Sequence, residues 1–168
     1  MKRFYLKKLR DVNSPSQAYE EASHWDFFIP NDWALLPGIV HPDPQATIFP
    51  SWEHRVLKPG TCLFIPSGLQ IKMQPGWALR FDNKSGKGRK GLLVGAQIVD
   101  RDYQGELHLN VWNASNQDVM VRCGEAILQG AFYETTRIQL HEIKSYEELF
   151  TETSARGAKG FGSTDKVN

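Results

Sequence analysis

Apolar residues alternate with polar or small ones in three runs: Leu69, Ile71 and Met73 against Gln70 and Lys72; Trp77, Leu79 and Phe81 against Ala78 and Arg80; Leu107, Leu109 and Val111 against His108 and Asn110. A period of two sends one set of side chains to one face, so each run predicts a half-buried β-strand. Turn formers separate the runs at Lys58-Pro59-Gly60, Pro66-Ser67-Gly68, Gln74-Pro75-Gly76, Asn113-Ala114-Ser115-Asn116 and Arg122-Cys123-Gly124. Their spacing, roughly 8–12 residues, is that of an antiparallel sandwich or barrel, and the predicted fold class is all-β. One helix start stands out: Ser145 can cap and Glu148 can reach back, ahead of Leu149 and Phe150, which predicts a short helical turn. Residues 28–56 are rich in Pro and Trp without a clean period, and predict a long irregular excursion between an early strand and the sheet. From Thr151 to Asn168 the chain is mostly Ser, Thr, Gly, Lys and Asp with a single aromatic residue, Phe161. Such a stretch cannot bury enough to order itself, so the expected organisation is a β domain over 1–150 and a mobile C-terminal arm over 151–168.

Composition narrows the function classes. The 168 residues are one domain's worth, and 40% hydrophobic against 23% charged is enough for a real core. Fourteen Gly and nine Pro punctuate the chain too often for a helical bundle. The formal charge of +1 excludes a strongly basic nucleic-acid coat, so polyanion binding must be local. No apolar run is long enough to span a membrane, and the start Met1-Lys2-Arg3-Phe4 leads to no apolar signal core, so the expectation is a soluble protein with no membrane partner. Cys62 and Cys123 form no C-x-x-C pair, which fits a reducing cytoplasm. His24, His41, His54, His108 and His141 lack metal-ligand spacing, and no metal held directly by the protein is expected.

Three segments carry chemistry. In Arg156-Gly157-Ala158-Lys159-Gly160-Phe161-Gly162-Ser163-Thr164, glycines let backbone N–H groups approach an anion, Arg156 and Lys159 bring charge, Ser163 and Thr164 bring hydroxyls, and Phe161 brings a flat face. Phosphate plus a planar ring suits such a set; a merely Gly-rich tail is the competing reading. The run from Lys84 to Gly91 packs four basic residues and three glycines into eight positions. It is either a solvated basic loop or a phosphate contact, and it lacks the spacing and following helix of a Walker-type site. The third segment runs from Val94 to Glu106 and reads as a hairpin turning at Asp100 to Asp102. Asp100 ends its apolar run, where partial desolvation could tune a carboxylate to take a proton from water.

These segments stand in the order and wording of the trimeric dUTPase family. Gly95-Ala96-Gln97-Ile98-Val99-Asp100-Arg101-Asp102-Tyr103-Gln104-Gly105-Glu106 resembles that family's third motif, and the string from Arg156 to Thr164 resembles its fifth nearly letter for letter. Gly76 to Gly86 is similar to the strand and second motif, Gly124 to Gln129 to the fourth, and Glu21-Ala22-Ser23-His24-Trp25-Asp26 to the first in its Ala, aromatic and Asp. The resemblance covers about residues 57–134 and the arm.

The resemblance implies a jelly-roll-like homotrimer with active sites at subunit boundaries, each closed by a C-terminal arm, and hydrolysis of dUTP to dUMP and pyrophosphate. Asp100 takes the place of the carboxylate that deprotonates a water for attack at the α-phosphorus. Tyr103 falls under the deoxyribose, while Gln97 and His108 fall where the hairpin reads the uracil edge and Phe161 where an aromatic residue stacks over it. Lys84, Ser85, Gly86 and Gln129 fall on phosphate contacts, and Arg156, Gly162, Ser163 and Thr164 on the γ-phosphate clamp. Mg2+ would be held mainly by the substrate's phosphates, with Asp26 in support.

The chain departs from the family at Asn83-Lys84 where Pro-Arg is usual, at Ala126 where an Arg stands, and at His24 where a small residue stands; a bidentate Arg contact thereby becomes a point charge. Within the same fold, dCTP deaminases place a Glu where Asn110 stands here, and an amide cannot serve as acid and base. A non-catalytic nucleotide-binding protein of the same fold is the alternative from another class.

Overall fold

The alternating run at Trp77–Asn83 forms the strand β6, the centre of the largest sheet in a computed structural model that describes residues 3–33, 54–152, 154, 157 and 158. Along β6, Leu79 and Phe81 are buried and Arg80 is exposed. On one side β6 pairs antiparallel with β11 (Ala126–Glu134), and on the other with the short β8 (Ile98–Val99). The other edge of β11 takes β2 (Trp25–Phe28), giving the order β2-β11-β6-β8. The inner face closes tightly: Phe27 meets Phe81 edge-on with centroids 4.9 Å apart. A Cβ on Gly130 of β11 would lie 2.9 Å from both Leu79 Cδ1 and Phe27 Cε2, so only glycine lets these rings cross the sheet.

A second sheet runs β4 (Cys62–Pro66), β9 (His108–Asn113), β7 (Leu92–Val94). Two antiparallel pairs complete the fold: β1 (Tyr5–Lys8) with β5 (Leu69–Lys72), and β10 (Val119–Arg122) with β3 (His54–Leu57). Residues from the sheets meet in one apolar cluster that includes Trp33, Ile65, Leu69, Leu109, Val111 and Ile127. The all-β, jelly-roll-like expectation holds. The expected glycine turns hold too, with Gly60, Gly68, Gly76 and Gly124 all at positive φ, where a Cβ is strained.

The chain divides into two compact units, Met1–Thr136 and Arg137–Asn168. The second contains α2 (Tyr146–Leu149), where Ser145 Oγ accepts a hydrogen bond from Glu148 N at 3.2 Å, the cap expected from sequence.

The structure corrects three expectations. Asn110 and Ala78 are buried, not outward-facing; Asn110 is covered in mid-strand although Trp112, on the same face of β9, is exposed, and it offsets its desolvation with hydrogen bonds. The basic run after β6 is not a plain loop, because Ser85–Gly88 makes one helical turn, α1, ended by Gly91 at φ 79°. The excursion expected over 28–56 is narrower at both ends: Phe28 belongs to β2, Ile29 and Trp33 are in the core, and β3 begins at His54. Its remainder lies outside the described residues.

Candidate functional site

Register places Asp26, Gln129 and Asp82 in one row across β2, β11 and β6. Phe27 and Phe81, their neighbours in sequence, point into the core, so strand alternation sends the row to the opposite face. Lys84, one residue beyond β6, brings Nζ to both carboxylate oxygens of Asp26 at 2.8 and 2.7 Å. His24 Nε2 lies 3.2 Å from Asp82 Oδ2, which also accepts from Arg80 Nη2 at 3.2 Å. Ser85 and Gly86 open α1 directly after Lys84. The face therefore holds carboxylates balanced by cations, an arrangement that a polyanion can enter by exchanging partners for the cations. Asn83, where the family has Pro, takes a structural part: its Oδ1 accepts from Val94 N at 2.6 Å and ties β7 to β6.

A second group surrounds a cavity of about 230 Å³ lined by Phe81, Ala96, Ile98, Val99, Asp100, Tyr103, Leu107 and His108. Tyr103 N bonds to Asp100 O at 3.2 Å, so a turn forms at the expected place. The expected hairpin does not form, because β8 before the turn pairs with β6 and the chain after it enters β9, which pairs with β4 and β7. Asp100 is exposed, so the desolvation expected at the end of the apolar run is absent there: the run ends in a two-residue edge strand in which Val99 packs against the core while Ile98 is exposed. Its carboxylate has no partner among the described residues, and it is the one acidic residue lining the cavity. Gln97 does not line this cavity among the described residues; its carbonyl accepts from Phe81 N at 2.8 Å at the cavity's edge, and the residue is exposed. Tyr103 Oη and His108 Nδ1 both reach the carbonyl of Glu106, at 2.8 and 3.0 Å. A carbonyl only accepts, so this bond puts a proton on Nδ1.

No hydrogen bond or ion pair joins the Asp26–Lys84 group to the Asp100–Tyr103–His108 group among the described residues. Arg156, Phe161, Gly162, Ser163 and Thr164 lie outside those residues. Residues that sequence reasoning passed over are Asp82, Arg80, Arg10 and Glu106; the alternation of Arg80 and Asp82 on the polar face of β6 was the available signal for the first two. Among the described residues, no group of three or more His, Cys, Asp or Glu could hold a metal ion, and no helix is long and apolar enough to cross a membrane.

A family model described as dUTPase matches residues 50–165. The chain is 36% identical over 114 residues to the deoxyuridine 5'-triphosphate nucleotidohydrolase of Pseudomonas putida (strain W619), covering 66% of this chain and 72% of that protein. To the enzyme of the same name from Hahella chejuensis it is 34% identical over 116 residues, covering 67% and 73%. Among solved structures it is similar to a mutant dUTPase of Staphylococcus bacteriophage 80alpha with dUpNHpp, with a TM-score of 0.70 at 19% identity over 96% of this chain and 97% of that one. It is also similar to a mutant dUTPase of phage phi11 of S. aureus described with a structural Mg(II) ion, with a TM-score of 0.63 at 14% identity over 86% and 99%.

Proposed function

From the premise that this chain belongs to the dUTPase family, we propose that it hydrolyses dUTP to dUMP and pyrophosphate through a site built on Asp100. The observation that carries the proposal is the Asp100 carboxylate, without a partner among the described residues, at a cavity shared with Tyr103 and His108. Asp100 accepts a proton from water as the water oxygen bonds to the α-phosphorus; the bond from that phosphorus to the α,β-bridging oxygen breaks, and pyrophosphate leaves. Tyr103 packs against the deoxyribose and leaves no room for a 2′-hydroxyl. Backbone groups around Gln97, together with His108, read the uracil edge, where a cytosine amino group leaves polar groups mispaired. Lys84, Ser85, Gly86 and Gln129 receive the phosphates, Lys84 trading Asp26 for phosphate oxygens.

The donor set beside Lys84 is one carboxylate already neutralised by that lysine, which fits a magnesium ion held chiefly by the triphosphate, with Asp26 in support. Bound in this way, Mg2+ would supply charge neutralisation on the phosphates.

The proposed assembly is a homotrimer with sites at subunit boundaries. Its support is that Asp100 and Tyr103 stand exposed in the single chain and, among the described residues, share no hydrogen bond with the Asp26–Lys84 group. Residues 151–168 act as an arm that brings Arg156, Phe161, Gly162, Ser163 and Thr164 over the bound nucleotide.

Deamination of dCTP is disfavoured by Asn110, a buried amide whose oxygen is engaged by Ala96 N. A turnover assay on the four deoxynucleoside triphosphates with Mg2+, scoring pyrophosphate and ammonia separately, tests the proposal. Pyrophosphate from dUTP alone is expected; no turnover would leave a nucleotide-binding protein, and ammonia from dCTP would restore the deaminase.

A further inference from the structure

Tyr103 and His108 line the cavity from a segment with little packing of its own. Arg101 to Gln104 are exposed, and Tyr103 itself is 46% exposed. Their rings are oriented by a common acceptor, the carbonyl of Glu106, at 2.8 Å from Tyr103 Oη and 3.0 Å from His108 Nδ1. Gly105 makes the Tyr103 contact possible, because a Cβ there would collide with the phenol. What fixes that carbonyl therefore fixes both rings.

The fixing comes from the same residue's side chain. Glu106 Oε1 accepts from Gly68 N at 2.7 Å, and Oε2 from Arg10 Nη2 at 3.0 Å. Both ends of this pair are largely shielded, with side-chain exposures of 20% for Glu106 and 19% for Arg10. Arg10 crosses tightly over the turn at Gly68, which has φ 72° and leaves no room for a Cβ against the Arg10 side chain. Its Nε and Nη1 are buried without hydrogen-bond partners among the described residues. Without Glu106 a still more poorly compensated buried cation would remain, so the pair is costly to open. Leu107, the next residue, donates to Leu69 O at 2.8 Å and accepts from Ser67 N at 2.9 Å, anchoring the far side of the Glu106 peptide in the core.

We propose that Glu106 is a positioning residue for the base and sugar pocket: held by Arg10 and the Gly68 amide, it presents the carbonyl that sets the Tyr103 and His108 rings. Glu106 is thereby distinguished from Asp100. Its two oxygens are occupied and it does not line the cavity, so it is no base. The inference rests on the dUTP-hydrolase reading for its effect on selectivity, but not for its effect on the Tyr103 ring.

The test measures kcat and KM for dUTP and UTP with Mg2+ in the parent, Glu106→Ala, Glu106→Gln and Arg10→Ala, together with the fluorine resonance of Tyr103 in fluorotyrosine-labelled protein. Expected for Glu106→Ala are a kcat on saturating dUTP within about threefold of the parent, a dUTP-over-UTP preference lowered about tenfold or more, and a Tyr103 resonance moved toward that of a free ring. Arg10→Ala should shift the same quantities less, and Glu106→Gln should rescue part of the preference, since one of the two accepting oxygens stays while the other becomes an NH2 that only donates and faces the Gly68 N–H or the Arg10 guanidinium. If Glu106→Ala does not fold, Glu106→Gln and Arg10→Ala carry the test. A folded variant with an unmoved Tyr103 resonance overturns the inference, as does an undiminished preference in an enzyme whose parent discriminates. A parent that does not discriminate dUTP from UTP refutes the pocket reading instead, and the fluorine resonance still decides on Glu106.

Discussion

Asn110 on β9 occupies the space that a side chain at Gly95 would need. Its Oδ1 lies where a Cβ on Gly95 would fall, and the same oxygen accepts from Ala96 N at 2.7 Å. Asn110 Nδ2 reaches toward Leu63 O at 3.5 Å. The wall of the cavity at Ala96 is thus pinned to the middle of the second sheet by a buried amide. Gly95→Ala should lower thermal stability and dUTP turnover together, as the Cβ displaces the amide. Asn110→Ala should cost about 1 kcal/mol or more, as the part-buried hydrogen bond to Ala96 N is lost. Thermal melts of the two variants check both; a Gly95→Ala protein as stable as the parent would deny the contact.

Asp100→Asn should keep nucleotide binding and lower kcat by about 10²–10⁴, the usual worth of a positioned base. Calorimetric binding of a non-hydrolysable dUTP analogue alongside turnover separates the two effects. Turnover within tenfold of the parent would remove Asp100 from the role.

Lys84→Ala should raise KM for dUTP by about tenfold or more, in line with losing a charged hydrogen bond, with a smaller effect on kcat. Its pair with Asp26 is partly exposed, at 32% and 19% for the two side chains, so its removal should change stability by only about 1 kcal/mol or less. An unchanged KM would mean that the phosphates pass elsewhere.

Light scattering should give a mass about three times 19.1 kDa if the closed threefold assembly forms. A stable monomer that hydrolyses dUTP would exclude a site shared between subunits.

Truncation after Ser154 should leave the oligomer intact, since every strand among the described residues lies upstream, while kcat on dUTP falls steeply without the groups that clamp the γ-phosphate and exclude water. Phe161→Ala should be milder, losing about 1–3 kcal/mol of stacking. Trypsin should cut at Arg156 and Lys159 more slowly when a non-hydrolysable dUTP analogue and Mg2+ are present. Normal turnover by the truncated protein would show the arm to be dispensable.

The sequence alone determined the strands at Leu69–Lys72, Trp77–Asn83 and His108–Asn113 and the glycine turns near them. Alternation at Leu69–Met73 and Trp77–Phe81 is a property of neighbours along the chain, as is the need for glycine at Gly68 or Gly76, and neither depends on what packs above. The order of its motifs likewise carried the family, because motif order survives in the chain itself. What the tertiary structure decided were partnerships over long separations: Asp26 with Lys84, His24 with Asp82, Arg10 with Glu106. It also decided which polar residues go inside. Asn110 reads as an outward position on an alternating strand, yet it is covered where Gly95 and Ala96 pack on it, while Trp112 on the same face stays exposed. Asp100 reads as desolvated by the apolar residues before it, yet it stands exposed, because Ile98 and Val99 form an edge strand too short to bury its end. Periodicity reports which side of a strand faces the core, but burial depends on what covers each position, and this is fixed only when distant segments pack.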